Sequence, residues 1–283
     1  MITSQTKLII IVVLSLTVAA CSIKTLYNRL DYLIPSYVEG MVSLDDVLEE
    51  KVEQRTQTLI NWHRNTQLIQ YADLLRTFQQ DLDSPLTEQR VVQHIYAMEL
   101  LWYPLAQKVN QEMAALLPLL NAKQREELFA SIEEKNEDFY DDYVDLDDEE
   151  RIEQYTESML DNYESWFGEL DQRQQQYVEQ AAYQIHSSAS LRLQQRKVWQ
   201  QNIREILESA DNTEKKTERL GTFFERFNID DDAQLASANA ANVQLFAKLT
   251  VQIVNHLSLD QKQYFIDKTN DYIRIFTELA ENR

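Results

Sequence analysis

Apolar positions along this chain recur with the period of an α-helix almost from end to end. Leu48, Val52, Arg55, Leu59 and Trp62 advance in alternating steps of four and three, and Leu68, Tyr71, Leu75, Phe78 and Leu82 continue the rhythm. No Gly or Pro stands between Val42 and Ser84, so the pattern predicts one helix over 44–82, ~58 Å long at 1.5 Å per residue. Ser43 and Asp46 resemble a capping box at its start, and Ser84-Pro85 stops it. A second helix is predicted over 88–117, capped by Thr87. Its stripe is Val91, Ile95, Met98, Trp102, Leu105, Val109, Met113 and Leu116, with Pro104 inside and Pro118 at its end.

Three later helices open alike, with Leu120-Asn121-Ala122-Lys123-Gln124, Leu170-Asp171-Gln172-Arg173-Gln174 and Leu257-Ser258-Leu259-Asp260-Gln261. In each, Asn, Asp or Ser takes the N-cap and Gln the third helical position, so the two side chains satisfy free N–H groups of the first turn. Similar Leu-Thr-x-x-Gln starts occur in periplasmic chaperones of the Spy and CpxP type, but capping accounts for them in any helical protein. Further helices are expected over 122–143, 147–167 with Gly168 at the C′ position, 172–209, 213–227, 233–256 and 259–280. No Pro-, Gly- or Ser-rich linker separates them. The expectation is an all-α, elongated bundle of about eight to ten amphipathic helices, several of them long. Residues 21–283 read as one domain, with a junction of two packed halves expected near 168–171.

The first 20 residues read as an address. Lys7 precedes an apolar run from Leu8 to Val18, too short to span a bilayer, and Val18-Ala19-Ala20-Cys21 follows. Small residues before the only Cys of the chain resemble a bacterial lipobox, in which the thiol accepts the lipid. Cys21 is therefore the expected acylation site, and acyl chains such as palmitate on the mature terminus would anchor the chain stably. Ser22, in place of an Asp retention signal, points to the outer membrane and the periplasmic face. A helix over 26–38 begins within a few residues of that anchor. Tyr27, Tyr32 and Tyr37 are candidates for its lipid interface, while Leu26, Leu30, Leu33 and Ile34 suit the core.

Composition narrows the rest. The chain has 283 residues with 3 Gly, 4 Pro and 1 Cys, which argues against collagen-like, disulfide-stapled and most all-β architectures. Its net charge is −20 and becomes −21 once residues 1–20 and their Lys7 are removed, which argues against nucleic acid as a partner. Between Glu133 and Glu153 stand 12 acids and only Lys135 and Arg151 as bases. The segment lacks the turn Gly of an EF-hand loop and reads as a solvated hairpin. Opposite in sign, Arg192, Arg196, Lys197 and Arg204 surround Trp199, and internal pairing with the acidic hairpin is expected.

Arg55 and Asn136 fall on apolar stripes, where a polar group needs a partner, and are expected in a polar network. His63, beside Trp62 and Arg64, is the most notable of four scattered histidines, which form no His-x-x-x-His pair. Glycines only at 40, 168 and 221 leave no phosphate loop, dinucleotide fingerprint or nucleophile elbow. No metal or cofactor is called for. Glu-Ser dipeptides at 157–158, 164–165 and 208–209 are a weak pointer to a glycan-cleaving enzyme with one Glu as acid.

Several blocks together carry a family likeness. They are Cys21-Ser22-Ile23-Lys24 with Tyr27-Asn28 and Leu30-Asp31-Tyr32; His63-Arg64 with Tyr71-Ala72 and Leu74-Leu75; and Asn136-Glu137-Asp138-Phe139 with Tyr143, Leu146 and Glu149-Glu150-Arg151. Trp166-Phe167-Gly168-Glu169-Leu170 leading to Gln174, then Arg192, Arg196, Trp199 and Arg204, complete the set. Over nearly the whole chain up to about residue 227, the sequence resembles the proteobacterial lipoproteins grouped as domain of unknown function 6279. It departs from them at Ile69, where Pro is expected, in a less basic 151–160 helix and in its greater acidity. The resemblance implies lipidation and an all-α fold, and no activity. The reading is a lipid-anchored, non-enzymatic envelope protein that binds a protein partner. The alternatives are a chaperone resembling Spy or a wall-cleaving enzyme.

Overall fold

The computed structural model describes residues 23–226 and 232–281. The signal segment 1–20, Cys21 and Ser22 lie outside the described residues, as does the last residue of the helix expected over 213–227. The described residues form twelve α-helices and two 3₁₀ turns, with no strand. The class is all-α, and the helix count exceeds the expected eight to ten. The helices are α1 (23–27), α2 (Leu30–Glu39), α3 (Asp46–Thr66), α4 (Leu68–Gln80), α5 (Glu88–Leu116), α6 (Ala122–Tyr143), α7 (Asp148–Phe167), α8 (Gln172–Ala182), α9 (Ala189–Glu208), α10 (Thr213–Arg226), α11 (Ala233–Val254) and α12 (Leu259–Glu281). None is long and apolar enough to cross a membrane.

The higher count comes from three breaks that no Gly or Pro marks, the first at Asn28-Arg29, where the helix expected over 26–38 divides into α1 and α2. The expected 44–82 helix divides at Gln67. There the Gln70 side chain donates to the Thr66 carbonyl at 2.5 Å and the Thr66 hydroxyl donates to the Trp62 carbonyl, so side chains take up main-chain acceptors of the helical ladder. Likewise the expected 172–209 helix divides at 183–188, where Asn242 of α11 both accepts from the His186 N–H at 2.9 Å and donates to the His186 carbonyl at 2.8 Å. The start of α3 also differs from expectation. Asp45, not Ser43, is the N-cap and accepts from the Leu48 N–H, while the Ser43 hydroxyl and N–H donate to Glu127.

The three Leu-x-x-x-Gln starts form capping boxes as read, at Asn121/Gln124, Asp171/Gln174 and Ser258/Gln261. Their glutamines also join helices. Gln174, fully buried, and Gln261 face one another and exchange two hydrogen bonds of 3.1 and 2.8 Å. Gln124 donates to the Ser43 carbonyl.

Four clusters of buried side chains hold the layers together. The first joins α7, α8, α11 and α12 through Met159, Phe167, Val178, Leu249, Ile253 and Phe265, and Leu170 of the turn between α7 and α8 belongs to it. The second joins α5, α6, α9 and α10 through Ala114, Phe129, Ile203, Leu207 and Phe224. The third packs Val42, Leu48 and Val52 against Leu120, and the fourth packs Leu68 of α4 against Ile275 and Leu279 of α12. The pairing of α4 with α12 is the most extensive among the described helices.

Candidate functional site

The singled-out residues fall into three separate groups. The first is structural in character. Arg55 is not on the buried stripe of α3, which runs Leu48, Val52, Thr56, Ile60 at steps of four. Its half-exposed guanidinium donates to Glu112 at 3.2 Å, and Lys108 pairs with the other oxygen of that carboxylate at 2.7 Å. Glu112 is the buried member of the trio, and two cations compensate its charge.

The second group gathers at the N-terminal end of the described chain. The Tyr27 hydroxyl lies 2.9 Å from His63 Nδ1, and the Tyr71 hydroxyl lies 3.3 Å from His63 Nε2. A neutral ring has one N–H to donate and one nitrogen that accepts, so it satisfies both phenols. Burial favours that neutral form by pushing the His63 pKa down. Burial also raises Tyr27, against the opposing charge of Arg64, and raises Tyr71. Arg64 lies 5.5 Å over the Tyr27 ring and donates to Asn28. Helices α1, α3 and α4 thus meet at one imidazole.

The third group runs from a buried amide pair out to an open groove. Asn136, 1% exposed, exchanges hydrogen bonds of 2.8 and 3.2 Å with Gln200 across α6 and α9 and also donates to Glu133. Lys197 pairs with Glu133 at 3.0 Å, so part of the basic segment meets the acidic one as read. The hydrogen bonds from Asn136 and Lys197 draw Glu133 below the usual carboxylate range. The other basic residues behave differently. Arg204 sits 4.2 Å over the Phe129 ring and Arg196 5.9 Å over Phe139. Arg192 donates to Ser188 and Asn239. Neither Arg192 nor Arg196 forms an ion pair among the described residues.

Both arginines line a groove of about 630 Å³ between α5, α6, α9 and α10. Trp199 stacks on Phe224 along one wall, and Trp102 and Tyr103 of α5 stand on the other at 62% and 54% exposure. Glu225 is the one carboxylate on its rim. Trp102 and Met98 were assigned to the α5 core stripe and are instead exposed. The signal for this was in the sequence. Tyr96, Met98, Leu100, Leu101, Trp102 and Tyr103 crowd one short stretch and cannot all share one face of a helix. Trp, Tyr and Arg around an apolar floor are the side chains enriched where proteins bind other molecules. Among the described residues, no three His, Cys, Asp or Glu side chains gather as a metal site would require.

These features define an all-α protein with an open aromatic groove that carries two guanidiniums. The family model for a family of unknown function, DUF6279, matches residues 41–226, and the chain belongs to that family. No curated protein and no solved structure matches the chain.

Proposed function

We propose that this protein is a lipid-anchored lipoprotein of the outer membrane, facing the periplasm, with a non-enzymatic binding or scaffolding role in the cell envelope. The observation that carries the reading is the position of the only Cys, directly after Val18-Ala19-Ala20 at the end of a short apolar run. The groove lined by Trp102, Trp199, Arg192 and Arg196 is the surface on which a protein partner would be held. Its rings supply contact area at little conformational cost, and its guanidiniums orient the partner. The chaperone reading gains nothing from the Leu-x-x-x-Gln starts, because their glutamines serve capping and helix joining.

A photo-crosslinking amino acid at Tyr103 in intact envelopes tests this reading, with Cys21→Ala and Arg196→Glu as comparisons. A single envelope protein crosslinked by the acylated chain, and lost in both variants, is the expected result. A broad collection of unfolded clients, unchanged by Arg196→Glu, would refute the binding role in favour of the chaperone reading.

A further inference from the structure

Helices α1 and α2 have two faces. Ile23 and Tyr27 turn inward onto Leu68, Ile275 and Leu279, and Val38 turns inward onto Val42 and Val52. On the other side Leu26, Tyr32, Leu33 and Tyr37 are 56%, 69%, 37% and 61% exposed among the described residues, and the Lys135 ammonium reaches over the Tyr37 ring. This corrects the sequence assignment at three positions. Tyr27 serves the core, whereas Leu26 and Leu33 face out.

Charge sets the same segment apart. Over 23–40 the bases Lys24 and Arg29 balance the acids Asp31 and Glu39, in a chain whose net charge is −20. The segment is also clamped to the body. Lys24 pairs with Glu278 of α12 at 2.6 Å, and Tyr27 bonds His63 of α3 at 2.9 Å. Finally, Cys21 precedes Ile23 by two residues, a reach of at most about 7 Å.

We propose that α1 and α2 form a foot that seats Leu26, Tyr32, Leu33 and Tyr37 in the head-group layer of the lipid bilayer, so that the domain stands on the membrane in one orientation. The proposal rests on the anchored reading and goes beyond it, since an anchor alone permits a domain that swings on a tether. Lipid is the occupant because acylated Cys21 brings the bilayer to this face whatever else is present. The uncharged balance removes the repulsion that the rest of the chain would meet at an anionic surface. Tyrosine suits this layer, with a ring for the acyl boundary and a hydroxyl for water. The clamps at Lys24 and Tyr27 transmit the seating to α3 and α12.

The test uses the full acylated protein in zwitterionic phosphatidylcholine vesicles. With Cys21 occupied by lipid, Leu26→Cys, Leu33→Cys and, as a comparison, Tyr183→Cys each provide one thiol for an environment-sensitive fluorophore. Tyr183 is 73% exposed at the end of α8. Blue-shifted emission at 26 and 33, and loss of most of it to lipids with a nitroxide at the head group, is the expected result, with 183 unaffected. Labels at 26 and 33 that stay aqueous on an acylated, vesicle-bound protein overturn the foot and leave the anchor standing. Equal quenching at all three positions also overturns it, since a swinging domain presents every face. A mass spectrum showing no lipid on Cys21 overturns both readings together.

Discussion

Replacing Gln174 by Ala tests whether a helix-capping residue also fastens two parts of the molecule. The Gln174 carbonyl oxygen accepts from the Asp171 N–H at 2.9 Å and from the Gln261 amide at 2.8 Å. Its amide donates to Gln261 at 3.1 Å and to the His256 carbonyl at 3.4 Å. Gln261 in turn accepts from the Ser258 N–H at 3.0 Å and donates to the Glu169 carbonyl at 2.8 Å. Truncation removes one half of a capping box, at about 1 kcal/mol, and leaves the Gln261 amide partly unpaired out of water, at about 1–3 kcal/mol more. The expected loss is about 2–4 kcal/mol in urea unfolding followed by circular dichroism, with the slope m unchanged. Gln124→Ala removes a capping glutamine with no facing glutamine and should cost about 1–2 kcal/mol. Gln174→Glu keeps the capping oxygen but has no donor for Gln261 or the His256 carbonyl and buries a carboxylate, so it should cost at least as much as Ala. In the cycle of Gln174→Ala, Gln261→Ala and the double variant, the second truncation costs less once the first has removed its partner, with a coupling of about 1–2 kcal/mol. Additivity within about 0.5 kcal/mol would refute the argument and reduce both residues to ordinary caps.

Acid should weaken the fold in two stages. Burial holds His63 and His94 below their ordinary value of 6.5, so the unfolded chain takes up protons first. Stability is then full above 6.5 and falls as pH drops below it; His63→Gln should flatten this stage in unfolding midpoints measured from about pH 7.5 to about 5.5. Glu127 sits at about 2, drawn down from 4.5 by the Ser43 hydroxyl, Lys123 and the Ser43 N–H. Its contribution is present above 4.5 and is lost as pH falls toward 2, a stage that Glu127→Gln should diminish. Gly168 has φ +76° and ψ −169°, a region essentially confined to glycine, and a Cβ there would meet Tyr264 only at 3.6 Å, so Gly168→Ala should cost about 1–3 kcal/mol from the backbone alone. Gly221 lies inside α10 with nothing within 4 Å of a Cβ, so Gly221→Ala should stabilise by about 0.5–1 kcal/mol in the same assay. Trp102→Ala, at an exposed ring on the groove, should shift stability by no more than about 0.5 kcal/mol while abolishing the crosslink at Tyr103.

What could be read from the chain was what neighbours in sequence decide. The boxes at Asn121, Asp171 and Ser258 are closed by residues three apart, and each was legible from its own five residues. The break at 183–188 was not, because it is made by Asn242, more than 50 residues away, and the break at Gln67 carries no Gly or Pro to mark it, only the side chains of Thr66 and Gln70 on main-chain acceptors. Arg55 was misplaced because steps of four and three and steps of four alone pick out different lines on a helix, and the buried line of α3 runs through Thr56. Asn136 was rightly read as needing a partner, but Gln200 lies 64 residues on. The groove stayed hidden for a related reason. Trp102 fits an apolar stripe, and only the arrangement of four helices reveals that no other described residue buries it.

The family match ends at residue 226, yet the packing does not. Helices α11 and α12 lie beyond it, and they close cores that earlier helices open. Leu68 and Ala72 on α4 are 1% and 0% exposed because α12 lies along them, and Val178 and Ala181 on α8 are shut in beside Leu249 and Ile253 of α11. The Ala-rich run of α11 suits this position, since small side chains let it lie close against both α5 and α8. Leu249, Ile253, Phe265, Ile275 and Leu279 are all nearly inaccessible. At about 2 kcal/mol for burying each, these five side chains supply about 10 kcal/mol, the size of the whole folding free energy of a typical domain. Residues 41–226 by themselves would lose that contribution and expose the faces of α4 and α8 that meet it. The region matched by the family is therefore a recognisable stretch of sequence whose hydrophobic core is completed by the residues that follow it.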